Sequence, residues 1–420
     1  MSGRTAIVTL LAAACLMALS TPAPAATYLV EANGSGDFVT IQAALDAVVD
    51  TDIIELANGT YDGTGNRDVD FLGKAVTIRS RSGDPTDVTI DCGGSEFDSH
   101  RAFWFHTGEG SSSVLQNITI VNGYVTGGNG GAILIEGASP TIDGCVLGSN
   151  IVAGANALGG ALYCSGGTWI SITGCRFIGN TAGDEFTDGR RGAIALFGVD
   201  AGEVIDCFIG PGNYAGTRGG GVYVAGGNIH FAGCTITNNA APTGGGIYYL
   251  SGTLGMDGCS VFWNDAMTMP ALGGGLAVFG DANITGSTFM GNFAAVAGGG
   301  MYFSDSAGAD VSRCIVAYSL MGGGIHLAAS DRSVMVACCD VYDNTGGNYT
   351  GELTDQTGMD DNISEEPQFC DAPSGDLTLY NTSPCASEYS PCGQLIGANE
   401  VDCLSVTEPS SWGEIKSNYR

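Results

Sequence analysis

Charged side chains are sparse in this sequence, and the densest group of them lies between residues 184 and 191. It contains three carboxyl groups and two guanidinium groups: Asp184, Glu185, Asp188, Arg190 and Arg191. Paired carboxyl groups cleave glycosidic bonds, and a neighbouring cation stabilises developing negative charge. We therefore take Asp184, Glu185, Asp188 and Arg190 as candidate catalytic residues. The alternative is a solvated surface loop, which is the more common role of mixed charge.

Two other acidic segments carry the oxygen ligands that Ca²⁺ prefers. The first contains Asp62, Asn66, Asp68 and Asp70, and the second contains Asp360, Asp361, Glu365 and Glu366. Neither has the spacing of an EF-hand, and solvated acidic loops are the alternative. Ca²⁺ is therefore an optional ligand, and no cofactor is required. The four histidines are scattered without partners at zinc-site spacing: His100, His106, His230 and His326.

An internal repeat determines the elements that must position these groups. A Gly-rich turn followed by an apolar strand occurs eight times, beginning at Gly130, Gly159, Arg191, Gly219, Gly244, Gly273, Gly298 and Gly322. Each is followed by a second marker: Cys145, Cys175, Cys207, Cys234, Cys259, Ser287, Cys314 and Cys339. An Asn stands five residues after most of these: Asn150, Asn180, Asn239, Asn264, Asn292 and Asn344. The mean spacing is about 28 residues.

These three markers predict an all-β chain, a right-handed parallel β-helix in which strands of successive coils pair about 4.8 Å apart. Glycine supplies positive φ and close backbone approach at one corner of each coil. The Asn is predicted at another corner, in left-handed conformation, with its amide in a stacked ladder. The recurring Cys is predicted to be a small buried filler, mostly with a free thiol. Helical repeats are excluded because glycine destabilises helix interiors and the chain contains 68 glycines.

The strand after each Gly corner carries an outward-facing column of residues. Alternation places Leu134 outside, and the same position is then Tyr163, Ala195, Tyr223, Tyr248, Ala277, Tyr302 and His326. We take Tyr163, Tyr223, Tyr248, Tyr302 and His326 as the candidate binding face, because aromatic rings stack on sugars and contact partners. The alternative is a structural aromatic stack covered by the loops at 183–189 or 264–272.

The pairing of Gly130-Gly131-Ala132-Ile133 with the Phe-x-x-Asn motifs at 177–180 and 289–292 resembles the repeat of chlamydial polymorphic outer-membrane proteins and related bacterial β-helices. This resemblance covers residues 117–344 and implies a surface or adhesion protein. The segment 28–78 resembles the opening of pectinesterases and other pectin-lyase-like β-helices, in which a helix, here 43–49, caps the first coil. The catalytic motifs of pectinesterases and polygalacturonases are missing, which disfavours those activities.

The two ends of the chain differ from the repeats. Residues 1–25 read as a signal peptide with a basic start, an apolar stretch and an Ala23-Pro24-Ala25 cleavage site; lipid attachment at Cys15 is the alternative. Residues 26–80 form an N-terminal cap, 81–354 the repeat coils, 355–403 a C-terminal cap and 404–420 a polar tail or a sorting signal. The C-terminal cap is predicted to hold two disulfides of open connectivity among Cys370, Cys385, Cys392 and Cys403.

The net charge of −30 makes nucleic acid an unfavourable partner. The leading interpretation is a secreted or cell-surface bacterial β-helix that binds glycan, matrix or protein without catalysis. The alternatives are a polysaccharide lyase or glycoside hydrolase, which needs an acid or base beside a cation in one concave site, and a purely structural rod. Oligomeric state stays open.

Overall fold

The computed structural model describes residues 24–183, 191–329 and 333–404. Three long parallel sheets run along the molecule, and successive coils of the chain add one strand to each. The predicted all-β parallel β-helix is confirmed. Its first sheet has twelve strands, so the shaft is about 50 Å long at 4.8 Å per step. No helix within the described ranges is long and apolar enough to cross a membrane.

The strand bounds follow the order of the coils. The first sheet contains Thr27–Val30, Ile53–Leu56, Thr77–Ser80, Val114–Gln116, Thr141–Asp143, Trp169–Thr173, Ala201–Ile205, Asn228–Ala232, Thr253–Asp257, Asp281–Thr285, Ala309–Ser312 and Val334–Ala337. The second sheet contains Gly59–Tyr61, Val88–Asp91, Thr119–Val121, Val146–Gly148, Arg176–Ile178, Phe208–Ile209, Thr235–Thr237, Ser260–Phe262, Thr288–Met290, Ile315–Ala317 and Asp340–Tyr342. The third sheet contains Val69–Asp70, Phe103–Phe105, Ile133–Glu136, Leu162–Ser165, Ile194–Phe197, Val222–Ala225, Ile247–Tyr249, Leu276–Val278, Met301–Phe303, Ile325–Leu327 and Tyr349–Gly351.

Shorter strands lead from the second sheet toward the third. Four of them form a small parallel sheet: Tyr124–Thr126, Ile151–Ala153, Thr181–Ala182 and Tyr214–Ala215. A further parallel pair is Asp265–Ala266 with Phe293–Ala294. Among the described residues, the positions just before the Gly turns are bridged from coil to coil, as at Asn129, Leu158, Arg191 and Arg218, and form a rim beside the third sheet. The Gly turns work as predicted: Gly130 has φ +64, and a Cβ on Gly131 would lie 2.1 Å from the carbonyl oxygen of Gly160.

The predicted asparagine ladder is present and buried, and Asn213 belongs to it as well. The Nδ2 of Asn239, for example, donates to Oδ1 of Asn264 at 2.9 Å and to the carbonyl of Ile209 at 2.9 Å. The predicted left-handed conformation of the ladder residue itself is wrong. The residue before it adopts positive φ, as at Ser149, Asn238, Trp263 and Asp343. At this turn the Asn side chain points into the core, where its amide donates hydrogen bonds to backbone carbonyls that are not paired within a strand.

The cysteine markers also stack as predicted, and all of them are buried free thiols: Cys145, Cys175, Cys207, Cys234, Cys259, Cys314 and Cys339. Their sulfurs contact backbone carbonyls of the same and neighbouring coils, as where Cys145 Sγ lies 3.6 Å from the carbonyl oxygen of Leu115. A small side chain fits here because the coil turns sharply at the preceding residue, which is left-handed at Gly144, Gly174 and Asp206.

A helix covers the N-terminal end of the core. It spans Ile41–Ala47 instead of the predicted 43–49, and Thr40 caps it by accepting a hydrogen bond from the backbone N–H of Ala43. Its residues Ile41, Ala44 and Leu45 are buried against the first coil. A 3-10 turn at Pro85–Asp87 precedes a second-sheet strand. The helix thus closes the N-terminal end of the solenoid.

The C-terminal cap contains the strands Phe369–Asp371, Asp376–Tyr380 and Val401–Cys403 and a 3-10 turn at Ala372–Ser374. Residues near 360–363 form backbone hydrogen bonds with the last coil at the end of the shaft. The rest of the cap folds back over the outer face of the second sheet. Here the backbone N–H of Ala398 donates to Thr288 Oγ1 at 2.9 Å. The cap thus covers a sheet face as well as an end.

The predicted disulfide set needs correction. Cys370 pairs with Cys403 inside the cap, but Cys392 pairs with Cys338 of the last coil, and Cys385 is a buried free thiol. Cys385 lies instead against a carboxylate, with its Sγ 3.2 Å from Oδ2 of Asp340. The cap is therefore tied covalently to the shaft.

Candidate functional site

The tyrosine column of the third sheet occupies the predicted register. Tyr223 pairs with Tyr248, and Tyr302 pairs with His326, with ring centroids 5.5 Å and 5.4 Å apart. The rings are nevertheless covered: Tyr223 is 1% exposed and Tyr248 2% exposed. Burial raises the pKa of all four phenols of the column, Tyr163, Tyr223, Tyr248 and Tyr302.

Side chains of the rim cover this column. Leu158, Leu272 and Ala297, each next to a Gly turn, pack on the tyrosines together with Phe279. Half-buried His326 has its pKa lowered by burial, and its Nδ1 lies 3.0 Å from Thr350 Oγ1. The column therefore has the geometry of a covered structural stack, and its largest rings are not open to a sugar. The candidates Asp184, Glu185, Asp188 and Arg190 lie outside the described residues.

The N-terminal coils instead bring titratable groups together. His100 lies between two carboxylates, with Nδ1 2.5 Å from Oδ2 of Asp68 and Nε2 3.1 Å from Oδ1 of Asp98. Only the first contact has hydrogen-bond geometry, so the buried Nε2 is left without an aligned acceptor. Asp68 is fixed in turn, because its Oδ1 accepts the backbone N–H of Arg101 at 3.1 Å. The imidazole is thus oriented by one carboxylate, which is the arrangement of a general acid or base.

Next to this pair, Trp104 presents an indole on the outer face of the third sheet. Its ring stacks on His106 at 3.7 Å between centroids, and its Nε1–H donates to Oε2 of Glu136 at 3.2 Å. His106 Nε2 lies 3.1 Å from Oδ2 of Asp70. These contacts hold the indole in place while 38% of the residue stays exposed. A fixed, exposed aromatic ring is a stacking surface that loses little entropy on binding.

A cavity of about 300 Å³ joins these groups, and its lining consists of Asp68, Ser99, His100, Arg101, Trp104, Val125 and Leu134. The Arg101 guanidinium donates to the carbonyl of Asn129 at 3.0 Å. Burial lowers the pKa of Arg101, and the carboxylates of Asp68 and Glu136 act in the opposite direction. Larger cavities, of about 590 Å³ at Asp281 and Asp310 and about 470 Å³ at Tyr318 and Phe369, combine no histidine with a cation.

The first acidic segment proposed for Ca²⁺ makes hydrogen bonds and ion pairs with other groups of the protein. Asn66 is buried, where its Oδ1 accepts the N–H of Ile41 and its Nδ2 donates to the carbonyl of Asp62. Asp68 and Asp70 contact histidines, as described above. In residues 24–183, 191–329 and 333–404, no three His, Cys, Asp or Glu side chains converge as metal ligands, and this includes Asp360, Asp361, Glu365 and Glu366.

Sequence reasoning missed His100, Arg101, Trp104, His106 and Glu136 as a group. The eight repeats begin at residue 130, and this coil precedes them without a Gly-rich turn. A signal was nevertheless present: Ala102-Phe103-Trp104-Phe105 aligns with Ala132-Ile133-Leu134-Ile135, which it pairs with in the sheet. Extending the repeat one coil upstream places Trp104 at the head of the outward column.

A comparison with protein-family models finds a match to the right handed beta helix region over residues 68–289. The chain belongs to the right-handed β-helix family. This β-helix protein is similar in structure to pectate lyase Pel9A, with a TM-score of 0.56, 13% identity, and coverage of 90% of this chain and 96% of that one. At this identity the likeness shows the fold alone.

Two further solved structures resemble the β-helix protein more weakly. A rhamnogalacturonan lyase has a TM-score of 0.38 at 13% identity and covers 93% of this chain and 98% of its own. Tailspike protein 3 of bacteriophage CBA120 has a TM-score of 0.35 at 11% identity, with coverage of 77% and 57%. No curated protein sequence matches the chain. The side chains of the site must therefore carry any functional argument.

Proposed function

We propose that this β-helix protein binds a polysaccharide at the cavity beside Trp104, on the outer face of the third sheet. The observation that carries the proposal is the indole of Trp104, exposed yet held by Glu136 and His106. Sugar rings present apolar C–H faces to such an indole, while Arg101 and Asp68 of the cavity offer polar groups to hydroxyls. The binding face is thereby moved from the covered tyrosines to the coil that precedes them.

Action outside the cell is part of the same proposal. Disulfides such as Cys370–Cys403 persist in oxidising compartments, and extracellular polysaccharide is accessible there. One structural neighbour, pectate lyase Pel9A, is named for the cleavage of a polysaccharide. That name supports a polymeric sugar as the class of ligand, and the contacts of Trp104 supply the location.

Cleavage of the bound chain is a second candidate function. It is favoured by His100, which lines the cavity and whose Nδ1 is held by Asp68. In such a reaction the imidazole would transfer a proton while the Arg101 guanidinium stabilises developing negative charge. Binding without products would favour the first function, and products that disappear in His100→Gln would favour the second.

The test is a polysaccharide panel on the purified chain, with and without Ca²⁺, that follows retention and the release of unsaturated or reducing ends. Trp104→Ala is expected to weaken retention at least tenfold, which corresponds to about 1.4 kcal/mol. Trp169→Ala is the matched control, because Trp169 is 43% exposed but lies on the first sheet. Equal retention by both variants would contradict the proposed site.

A further inference from the structure

A pair of arginines lies farther along the same rim. Arg191 and Arg218 precede successive Gly turns and are bridged in parallel register, so their backbones are one coil step apart. The guanidinium carbon of Arg191 lies 4.8 Å from the ring centroid of Tyr223, and that of Arg218 lies 5.2 Å from Tyr248. The two rings are nearly parallel, at 9°. Two planar cations are thus held side by side over two stacked rings.

The charges of this pair are not neutralised by the part of the protein that the structure describes. Its ion pairs use Arg79, His100 and His106, and none includes Arg191 or Arg218. Arg191 Nε is buried without a hydrogen-bond partner, whereas Arg218 is exposed. Adjacent like charges repel, and the tyrosine faces compensate only in part. An oxyanion is the natural complement, because each guanidinium offers parallel N–H donors to two oxygens.

The location of the pair relates it to the Trp104 cavity. The rim position runs from Asn129, whose carbonyl accepts from Arg101, through Leu158 to Arg191 and Arg218. Two coil steps separate Asn129 from Arg191, which is about 10 Å along the shaft. An oligosaccharide lying along the third sheet spans that distance.

We infer that Arg191 and Arg218 form a second subsite that binds an acidic group, a carboxylate or a sulfate ester, of the polysaccharide. The inference rests on the proposed function, and it deepens that function by assigning an anionic class of ligand. A strongly acidic protein of net charge −30 repels acidic polymers overall, so a local pair of cations is needed to hold one.

The test compares charged polymers with neutral forms of the same backbone. Alginate is paired with its carboxyl-reduced form, and chondroitin sulfate with its desulfated, carboxyl-reduced form. The wild type is expected to bind one acidic polymer at least tenfold more tightly than its neutral form, less so at high salt. Arg191→Gln/Arg218→Gln should remove that preference. Arg191→Lys/Arg218→Lys should keep part of it, because the charge remains but the planar fork is lost.

The variants separate this inference from the proposed function. Trp104→Ala should weaken acidic and neutral polymers alike, and circular dichroism checks that each variant is folded. An unchanged acidic preference in the double Gln variant would overturn the arginine subsite, even where Trp104→Ala abolishes binding. If no polymer binds the wild type, the proposed function fails. The arginine pair is then judged by titrating sulfate while following the Nε–H signals of Arg191 and Arg218, and their failure to shift would overturn it too.

Discussion

Asp340 offers a sharp test of how the C-terminal cap is attached. Its side chain is fully buried between the last coil and the cap. Oδ1 accepts the backbone N–H of Glu365 at 3.1 Å, and Oδ2 accepts the thiol of Cys385 at 3.2 Å. Burial raises the pKa of Asp340 from 3.8 to about 6, partly opposed by the two hydrogen bonds, and the negative charge of Glu365 adds to the rise. Replacement by Asn removes this titration and nearly preserves the shape.

The sign of the effect follows from proton linkage. Between pH 4 and 6 the folded protein holds a proton on Asp340 that the unfolded chain has already released. The free energy of unfolding therefore falls as the pH rises through this window. A rise of about two pKa units corresponds to about 3 kcal/mol. We expect Asp340→Asn to gain about 3 kcal/mol relative to the wild type between pH 4 and pH 7.

Hydrogen exchange of amides in residues 360–403 measures this locally, because the cap can open without unfolding the whole shaft. Asp310→Asn is the control, with the same change of charge on an exposed residue of the first sheet. Asp265, whose pKa burial also raises, contributes equally to both proteins and cancels in the comparison. Wild type and Asp340→Asn with parallel pH profiles would refute the reasoning.

Other predictions concern the shaft itself. Asn239→Ala should lower the free energy of unfolding in urea by about 3 kcal/mol, because buried polar groups on the neighbouring coils would lose their hydrogen-bond partner. Asn283→Ala, at an exposed position, should change it little. Gly227→Ala should lower the free energy of unfolding by well over the roughly 1 kcal/mol expected for Gly137→Ala. Both glycines have positive φ, but only at Gly227 would a Cβ meet a backbone oxygen, at 1.8 Å. The ten buried free thiols between residues 24 and 404 should react with a thiol reagent only after unfolding, and rapid labelling of any of them in the native protein would contradict their burial.

The fold was predictable because the repeat encodes its own register. Each Gly turn and each ladder position recurs, so aligning the repeats already aligns the strands of neighbouring coils. The candidate site was not predictable in the same way. Trp104 pairs with Leu134, but an irregular segment between residues 92 and 102 separates its coil from the preceding strand, and His100 at the end of that segment reaches Asp68 only in three dimensions.

Burial of the tyrosine column escaped the sequence for a different reason. Alternation correctly determines which way Tyr223 and Tyr248 point, but exposure depends on what lies beside them. Residues such as Leu272 come from rim loops of unequal length, and their reach is a tertiary property. The pairing of Cys392 with Cys338 is tertiary as well, because it depends on the cap folding back over the second sheet.

The asparagine ladder also makes coils interchangeable. Asn239 and Asn264 stand 25 residues apart and make the same contacts, so deleting one such circuit would rejoin equivalent positions. The shaft can therefore lengthen or shorten only in whole increments of about 4.8 Å. Trp104 and Arg191 are separated by such increments, so the gain or loss of a coil between them would change their spacing by one increment and alter the fit to the proposed polysaccharide. The number of coils between two positions on the third sheet thus sets the distance between them.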